Sequence, residues 1–346
     1  GSNYKDSPVP KVPGTKGTGE SLPRGGIFSY YHLVPTRLML STIIIFTAVL
    51  SLLVFVHEFG HFATAKKAGV KVEEFGFGFP PRLAGFRHGG TIYTINWIPL
   101  GGFVKIKGES GEHKSDKDSF GGKSALVRGL ILGAGVIMNF VLAWSVLTGG
   151  YIIGVPQVAE DLPASAIVRE TKIQVVTVLK GSPADRAGLQ TSDAIVSLDG
   201  AAPAEIADVQ KYSTARRDVP VMIEVDRGAK RLKLAITPET LAETGKVGFG
   251  IALVKTGLVS YPWYLAPVQG LSATLSFARE ILDSFGKLLG DFFSRKAVSV
   301  DVSGPVGIAV VTGQVADLGF RYLLQFTALL SINLAIVNVL PIPALD

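Results

Sequence analysis

The sequence predicts a polytopic α-helical membrane protein of three or four spans, with a membrane-associated β-hairpin region and one inserted β-rich domain. Three observations predict it. Charged residues make up 18% of the chain and hydrophobic residues 47%, whereas soluble domains carry about 25% charge. The apolar residues gather in long uncharged blocks, as a hydrocarbon layer ~30 Å thick requires. Between those blocks lie stretches with alternating apolar residues and Gly/Pro turns, the pattern of strands.

Residues 1–37 are rich in Gly, Pro, Ser and Lys without apolar periodicity, so they read as a flexible tail, with Gly1-Ser2 as a cloning remnant. Leu38 to Val56 is uncharged and runs directly into His57-Glu-Phe-Gly-His61, giving the first span. Leu130 to Ile153 forms the second, and Tyr322 to Leu345 the third. Gly257 to Ala278 is also uncharged but broken by Pro262, Pro267 and Gly270. From Thr274 to Phe293, apolar residues such as Phe277, Ile281, Phe285 and Leu288 recur at helical spacing among Arg279, Glu280, Asp283 and Lys287. That pattern predicts an amphipathic helix on the membrane surface, with a fourth span as the alternative.

Between the first two spans, Phe75 to Pro81 reads as a Gly/Pro-punctuated apolar loop, and Thr91 to Lys107 as a β-hairpin turning at Pro99 to Gly102. Lys and Arg are concentrated here, which places the segment on the cytoplasmic side. Crossing the second span then puts the polar domain on the opposite side. Within that domain Ile173 to Leu179, Ala194 to Leu198, Val219 to Asp226 and Lys230 to Ile236 read as strands, and Ile206 to Thr214 as a helix. The expected organisation is a tail over 1–37, a first membrane core over 38–156, the β-rich domain over 157–240 and a second membrane core over 241–346.

The chain has no cysteine, which excludes disulfides, thiolate metal sites and a thiol nucleophile. Its net charge of +6 comes with no nucleic-acid-binding motif, so the expected partner surface is the bilayer and not nucleic acid. The chemistry concentrates in His57-Glu-Phe-Gly-His61. Residues four apart share one helix face, so both imidazoles reach one Zn2+ ion. Glu58 stands beside them as general base for a metal-activated water. Ionisable groups at the end of an apolar span are costly unless they pair or bind an ion. A catalytic zinc needs a third protein ligand. His32, His88 and His113 sit in polar or loop contexts; the better candidate is Asp346, the acidic group ending the third apolar run, with a capping or interfacial aspartate as the alternative.

Several motifs stand in a fixed order: HEFGH, the Phe75-Gly-Phe-Gly-Phe loop, Pro99-Leu-Gly-Gly-Phe-Val-Lys-Ile-Lys-Gly-Glu109, Gly181-Ser-Pro-Ala-Asp-Arg-Ala-Gly-Leu189, Ser303-Gly-Pro-Val-Gly-Ile-Ala309 and the Asn338 to Asp346 segment. From Leu38 to Asp346 the chain resembles the site-2 protease family. Within that family it is similar to the bacterial regulated intramembrane zinc metalloproteases that act on anti-sigma factors. The resemblance implies His57, His61 and Asp346 as zinc ligands and Glu58 as general acid/base. It implies that Asn338, beside the Pro341 and Pro343 kinks, contacts substrate near the metal. It further implies that the hairpin region dips into the membrane and takes the substrate as an added strand, with Gly76, Gly78, Gly101 and Gly102 permitting the backbone geometry. The β-rich domain resembles a PDZ domain that reads a newly exposed carboxyl end or screens substrates by size.

The implied partners are single-span transmembrane proteins already trimmed outside, such as anti-sigma factors or signal-peptide remnants. The implied place is a bacterial inner membrane, the PDZ-like domain extracytoplasmic and the protein a monomer. Three positions depart from the family pattern. Gly135-Val136 precedes Asn139 where Gly-Pro is usual, Ser192-Asp193 replaces Gly-Asp, and the sequence stops at Asp346 where the family continues with Gly-Gly and a further span. The last predicts a truncated chain. The alternative function is a catalytically inactive membrane scaffold that recruits partners through its PDZ-like domain.

Overall fold

A computed structural model describes residues 36–112, 115–160, 162–228, 230–242, 245–294 and 304–339. The expected tail up to residue 35, His32, His113 and Asp346 lie outside the described residues. Helix α1 spans Thr36–Lys67 and ends on Lys66 and Lys67, cations placed where the helix dipole favours them. Strands β1 (Val72–His88) and β2 (Thr91–Ile106) follow, joined by Gly89 and Gly90, both with positive φ. Helix α2, Ala125–Ile153, opens on Ser124, whose hydroxyl accepts from the Val127 N–H, and closes at Gly154, a cap that satisfies one orphan donor of the first turn.

The β-rich module then runs β3 (Val155–Val158), β4 (Ile167–Val178), the short α3 (Pro183–Arg186), β5 (Ala194–Leu198), α4 (Ile206–Ala215), β6 (Val221–Arg227), β7 (Lys230–Ile236), β8 (Glu239–Thr240), β9 (Val247–Gly248) and β10 (Ile251–Ser260). Three helices complete the described chain: α5 (Ala266–Phe293), α6 (Pro305–Leu318) and α7 (Phe320–Val339). Among the described residues, three helices are long and apolar enough to cross a membrane: α1 from Leu40, α2 and α7. Helix α5 is not one of them. Its apolar residues Phe277, Ile281 and Phe285 pack on a core of Ala143, Leu147, Ala328, Ile332 and Ile336, so it leans on α2 and α7. Helix α6 was not anticipated from the sequence; its Gly313 lies so close to Thr42 of α1 that an added Cβ would stand 2.5 Å from the hydroxyl.

The hairpin region is folded more tightly than the alternation suggested. The Phe75 to Pro81 stretch is strand rather than loop. Glu74 pairs with both Lys105 and Ile92, and Phe77 with both Gly102 and Ile95, while 82–88 pairs back onto 91–96. The four segments therefore lie in the order 82–88, 91–98, 72–79, 101–106. Pro99 to Gly102, expected as a tight turn between neighbours, instead carries the chain across to the far side of 72–79. Gly89-Gly90 makes the true turn.

The module's sheet is antiparallel in the order β3-β10-β4-β5-β6-β7. It recruits β3 and β10 from both sides of the stretch read as the polar domain. Ile173, Val175, Ile195, Leu198, Val221, Ile223 and Val225 form its core beneath α3 and α4. Asp193 is fully buried, yet Arg227 meets both its oxygens at 2.7 Å and the Gln190 N–H donates to it. A buried carboxylate is tolerable only with such pairing. Ser192 beside it has a φ of 75°, the left-handed conformation that suits glycine.

Candidate metal and catalytic centre

The centre is assembled where α1 meets α2. Gly60 on α1 lies against the Ala134 carbonyl, which an added Cβ would approach to 2.4 Å. Such backbone contact brings the two helices closer than side chains would allow. His57 and His61, four residues apart on α1, are both buried, and their Nε2 atoms stand 3.1 Å apart. Gly135 of α2 faces the gap. A Cβ there would lie 2.4 Å from His61 Nε2 and 2.6 Å from His57 Nε2. The absent side chain leaves the space in front of both nitrogens open.

The second nitrogen of each ring is also engaged. His61 Nδ1 lies 2.8 Å from the Ile131 carbonyl. A carbonyl only accepts, so Nδ1 carries the hydrogen and Nε2 of the neutral ring presents its lone pair. His57 Nδ1 lies 3.3 Å from the Asn139 carboxamide, and Asn338 of α7 brings its amide to 3.3 Å from His57 Nε2. Ser331 Oγ, also on α7, donates to the Asn139 carbonyl at 2.8 Å. Thus all three apolar helices contribute a polar group to one buried point.

These residues fit a zinc ion. Two nitrogens bound at ~2.0–2.1 Å in tetrahedral geometry sit about 3.3 Å apart, close to the 3.1 Å separation of the two Nε2 atoms. Among the described residues no three His, Cys, Asp or Glu groups come together; the third ligand expected from the sequence, Asp346, lies outside them.

Glu58 is half-buried. By helical spacing it shares a face of α1 with Ser51, Phe55 and Phe62. Phe55 meets Phe75 and Phe77 at 5.4 and 5.8 Å, and Phe62 stacks on Phe75 at 4.5 Å. The face carrying Glu58 is therefore the face on which the four-segment sheet rests. Ser51 fixes that seat: its hydroxyl donates to the Pro99 carbonyl and accepts from the Gly101 N–H. Gly101, at φ +93°, leaves no room for a side chain, since a Cβ would fall 2.7 Å from Val54, and a Cβ on Gly102 would stand 3.0 Å from the Gly76 carbonyl and 3.3 Å from Phe55. Gly76 and Gly78 serve the sheet itself, facing Phe103 and the Ile98 carbonyl. His88 is exposed at the hairpin turn, away from the centre.

The sequence reading did not assign Ser51, Gly135 or Asn139 to the centre. The signal for Asn139 was present: it is the one amide in an otherwise uncharged span, and polar groups at membrane depth are functional candidates.

The profile of peptidase family M50 matches residues 45–346. A Clostridium perfringens protein whose name designates a zinc metalloprotease is 36% identical over 297 residues, covering 86% of this chain and 82% of its own. Zinc metalloprotease RasP of Geobacillus kaustophilus is 29% identical, with 89% and 87% covered. A chloroplastic membrane metalloprotease of Arabidopsis thaliana is 31% identical, with 87% and 68% covered. Among solved structures, the PDZ domain of the SdrC-like protein from Listeria monocytogenes is similar to 23% of this chain and 85% of that one, at 26% identity and a TM-score of 0.22.

Proposed function

This chain belongs to peptidase family M50, the site-2 proteases, and from that membership we propose its substrates and the roles of its residues. It is an intramembrane zinc metalloprotease. Its substrates are transmembrane segments of proteins already shortened outside the bilayer, such as anti-sigma factors or signal-peptide remnants. His57, His61 and Asp346 hold the zinc. Bound there, zinc supplies a Lewis acid and lowers the pKa of a water to about 7.

Glu58 takes a proton from the attacking water as the oxygen bonds to the scissile carbonyl carbon. It returns that proton to the amine nitrogen as the C–N bond breaks, so one water is consumed and two chain ends result. Asn338 orients the peptide beside His57. A helical substrate must open before its peptide bond is reachable, and a sheet edge supplies hydrogen bonds to the opened backbone. Segment 101–106 ends the four-segment order and lies along α1, which makes it our choice of edge. The β-rich module acts as a PDZ-like gate outside a bacterial inner membrane, with the protein working as a monomer.

The observation that carries this reading is the pair of buried imidazole nitrogens facing each other across a gap kept open by Gly135. Glu58→Gln tests it in full-length protein reconstituted with a single-span reporter. Zinc should stay bound while cleavage stops. Equal cleavage by both forms removes Glu58 from the mechanism, and no cleavage by either favours a scaffold.

A further inference from the structure

Resting on the zinc reading above, we propose that Asn139 is a positioning residue for the metal. Its carboxamide oxygen accepts the Nδ1–H of His57 and so frees His57 Nε2 to bind the ion. Asn139 is completely buried, at 0% exposure, in the middle of α2. Its backbone carbonyl accepts from the Ser331 hydroxyl of α7, and its side chain reaches into the space beside His57. The carboxamide lies 3.3 Å from His57 Nδ1.

The chemistry of the two rings fixes what the amide must do. His61 has its tautomer set by the Ile131 carbonyl, which only accepts. A neutral His57 that binds metal through Nε2 carries its hydrogen on Nδ1, and that hydrogen needs an acceptor in a buried place. With the amide nitrogen turned toward Nδ1, the Asn139 oxygen is buried without a hydrogen-bond partner. It would also make Nδ1 the acceptor and Nε2–H a donor toward His61 Nε2, 3.1 Å away, so that the Asn338 amide nitrogen, 3.3 Å from the same Nε2, would face a second donor. Turning the carboxamide by half a rotation changes no shape, brings the oxygen onto Nδ1–H and releases both Nε2 lone pairs to one ion. Orientation of an amide is read from its hydrogen-bond logic, and here the Asn338 amide nitrogen at Nε2 and the orphaned Asn139 oxygen both put the hydrogen on Nδ1 and the oxygen against it.

An aspartate at this position keeps the acceptor and loses the donor; a leucine keeps the volume and loses both. The experiment measures metal affinity of the full chain in detergent by competition with a chelator, using Zn2+ and the visible spectrum of Co2+. Asn139→Leu should weaken the metal by about 10–100-fold, the usual cost of removing a partner that orients a ligand. Asn139→Asp should restore affinity to within a few-fold of the parent, with circular dichroism unchanged in both. Leucine binding as tightly as asparagine overturns the proposal, as does aspartate failing to rescue while the protein stays folded. If the parent itself takes up no metal, or takes it up equally with His57→Ala, the zinc reading falls instead. The two failures are distinguishable.

Discussion

At the scale of single residues, the centre depends as much on what is missing as on what is present. Gly135 and Gly133 lie two apart on the same helix, but an added Cβ at 133 meets nothing within 4 Å, whereas at 135 it meets both imidazoles. Alanine is the better helix former by about 1 kcal/mol, so Gly133→Ala should be harmless or slightly stabilising. Gly135→Ala, with the same helical benefit, should push the rings from their shared point and lower zinc occupancy more than tenfold at unchanged helix content. Metal analysis beside circular dichroism checks the pair; a Gly135→Ala protein with full zinc would show the gap to be unnecessary. The meeting of His57 and His61 was legible in the sequence because spacing of four on a helix is itself the geometry. Gly135 and Asn139 were not. Their roles arise from the crossing of α1 and α2, which no local pattern encodes.

At the scale of elements, α1 serves two neighbours with two faces. One face gives His57 and His61 to α2, and the other seats the sheet through Ser51, Phe55 and Phe62. The alternation of Ile92, Tyr93, Ile95 and Trp97 announced strands, but period-two patterning says which face is apolar and not which strand is the neighbour. Hence the insertion of 72–79 between 91–98 and 101–106 was invisible, and 14-residue α6 fell below the length that marks a span. The seat makes a distinct prediction. Ser51→Ala leaves the buried Gly101 N–H without its partner and frees the part-buried Pro99 carbonyl, a loss of about 1–3 kcal/mol. Zinc binding should be unaffected, since Ser51 touches neither imidazole. Backbone amides of 99–103 should exchange faster, and KM for a transmembrane substrate should rise several-fold with kcat nearly constant. A fall in kcat alone would place Ser51 in the chemistry, not in the seating of the edge.

At the scale of the whole molecule, two kinds of stabilisation are kept apart. The spans α1, α2 and α7 are held by apolar packing and by a few buried polar contacts. The module adds a set of carboxylates made more acidic by their partners. Asp199 is lowered chiefly by accepting the Met222 N–H and then the Tyr212 hydroxyl, Glu224 by Lys233, and Asp226 by Arg231. The module is joined to the spans through β3, which follows α2 directly, through the Tyr261 N–H donating to the Tyr151 carbonyl, and through Gln325 of α7 donating to the Pro156 carbonyl. A carboxyl whose folded pKa lies below its unfolded value contributes stability above the unfolded pKa, ~4 for Asp and Glu, and loses it as pH falls through the folded value. Acidification from pH 7 toward 3 should therefore loosen β5, β6 and β7 while α2 and α7 stay protected. Hydrogen exchange on the full chain reads both parts in one experiment. Asp199→Asn keeps an acceptor for Met222 but no longer titrates, so protection around the Asp199 turn should begin lower and respond less to pH. Simultaneous loss of protection in module and spans would mean that they unfold as one unit, and that β3 transmits more than the separation of their chemistries allows.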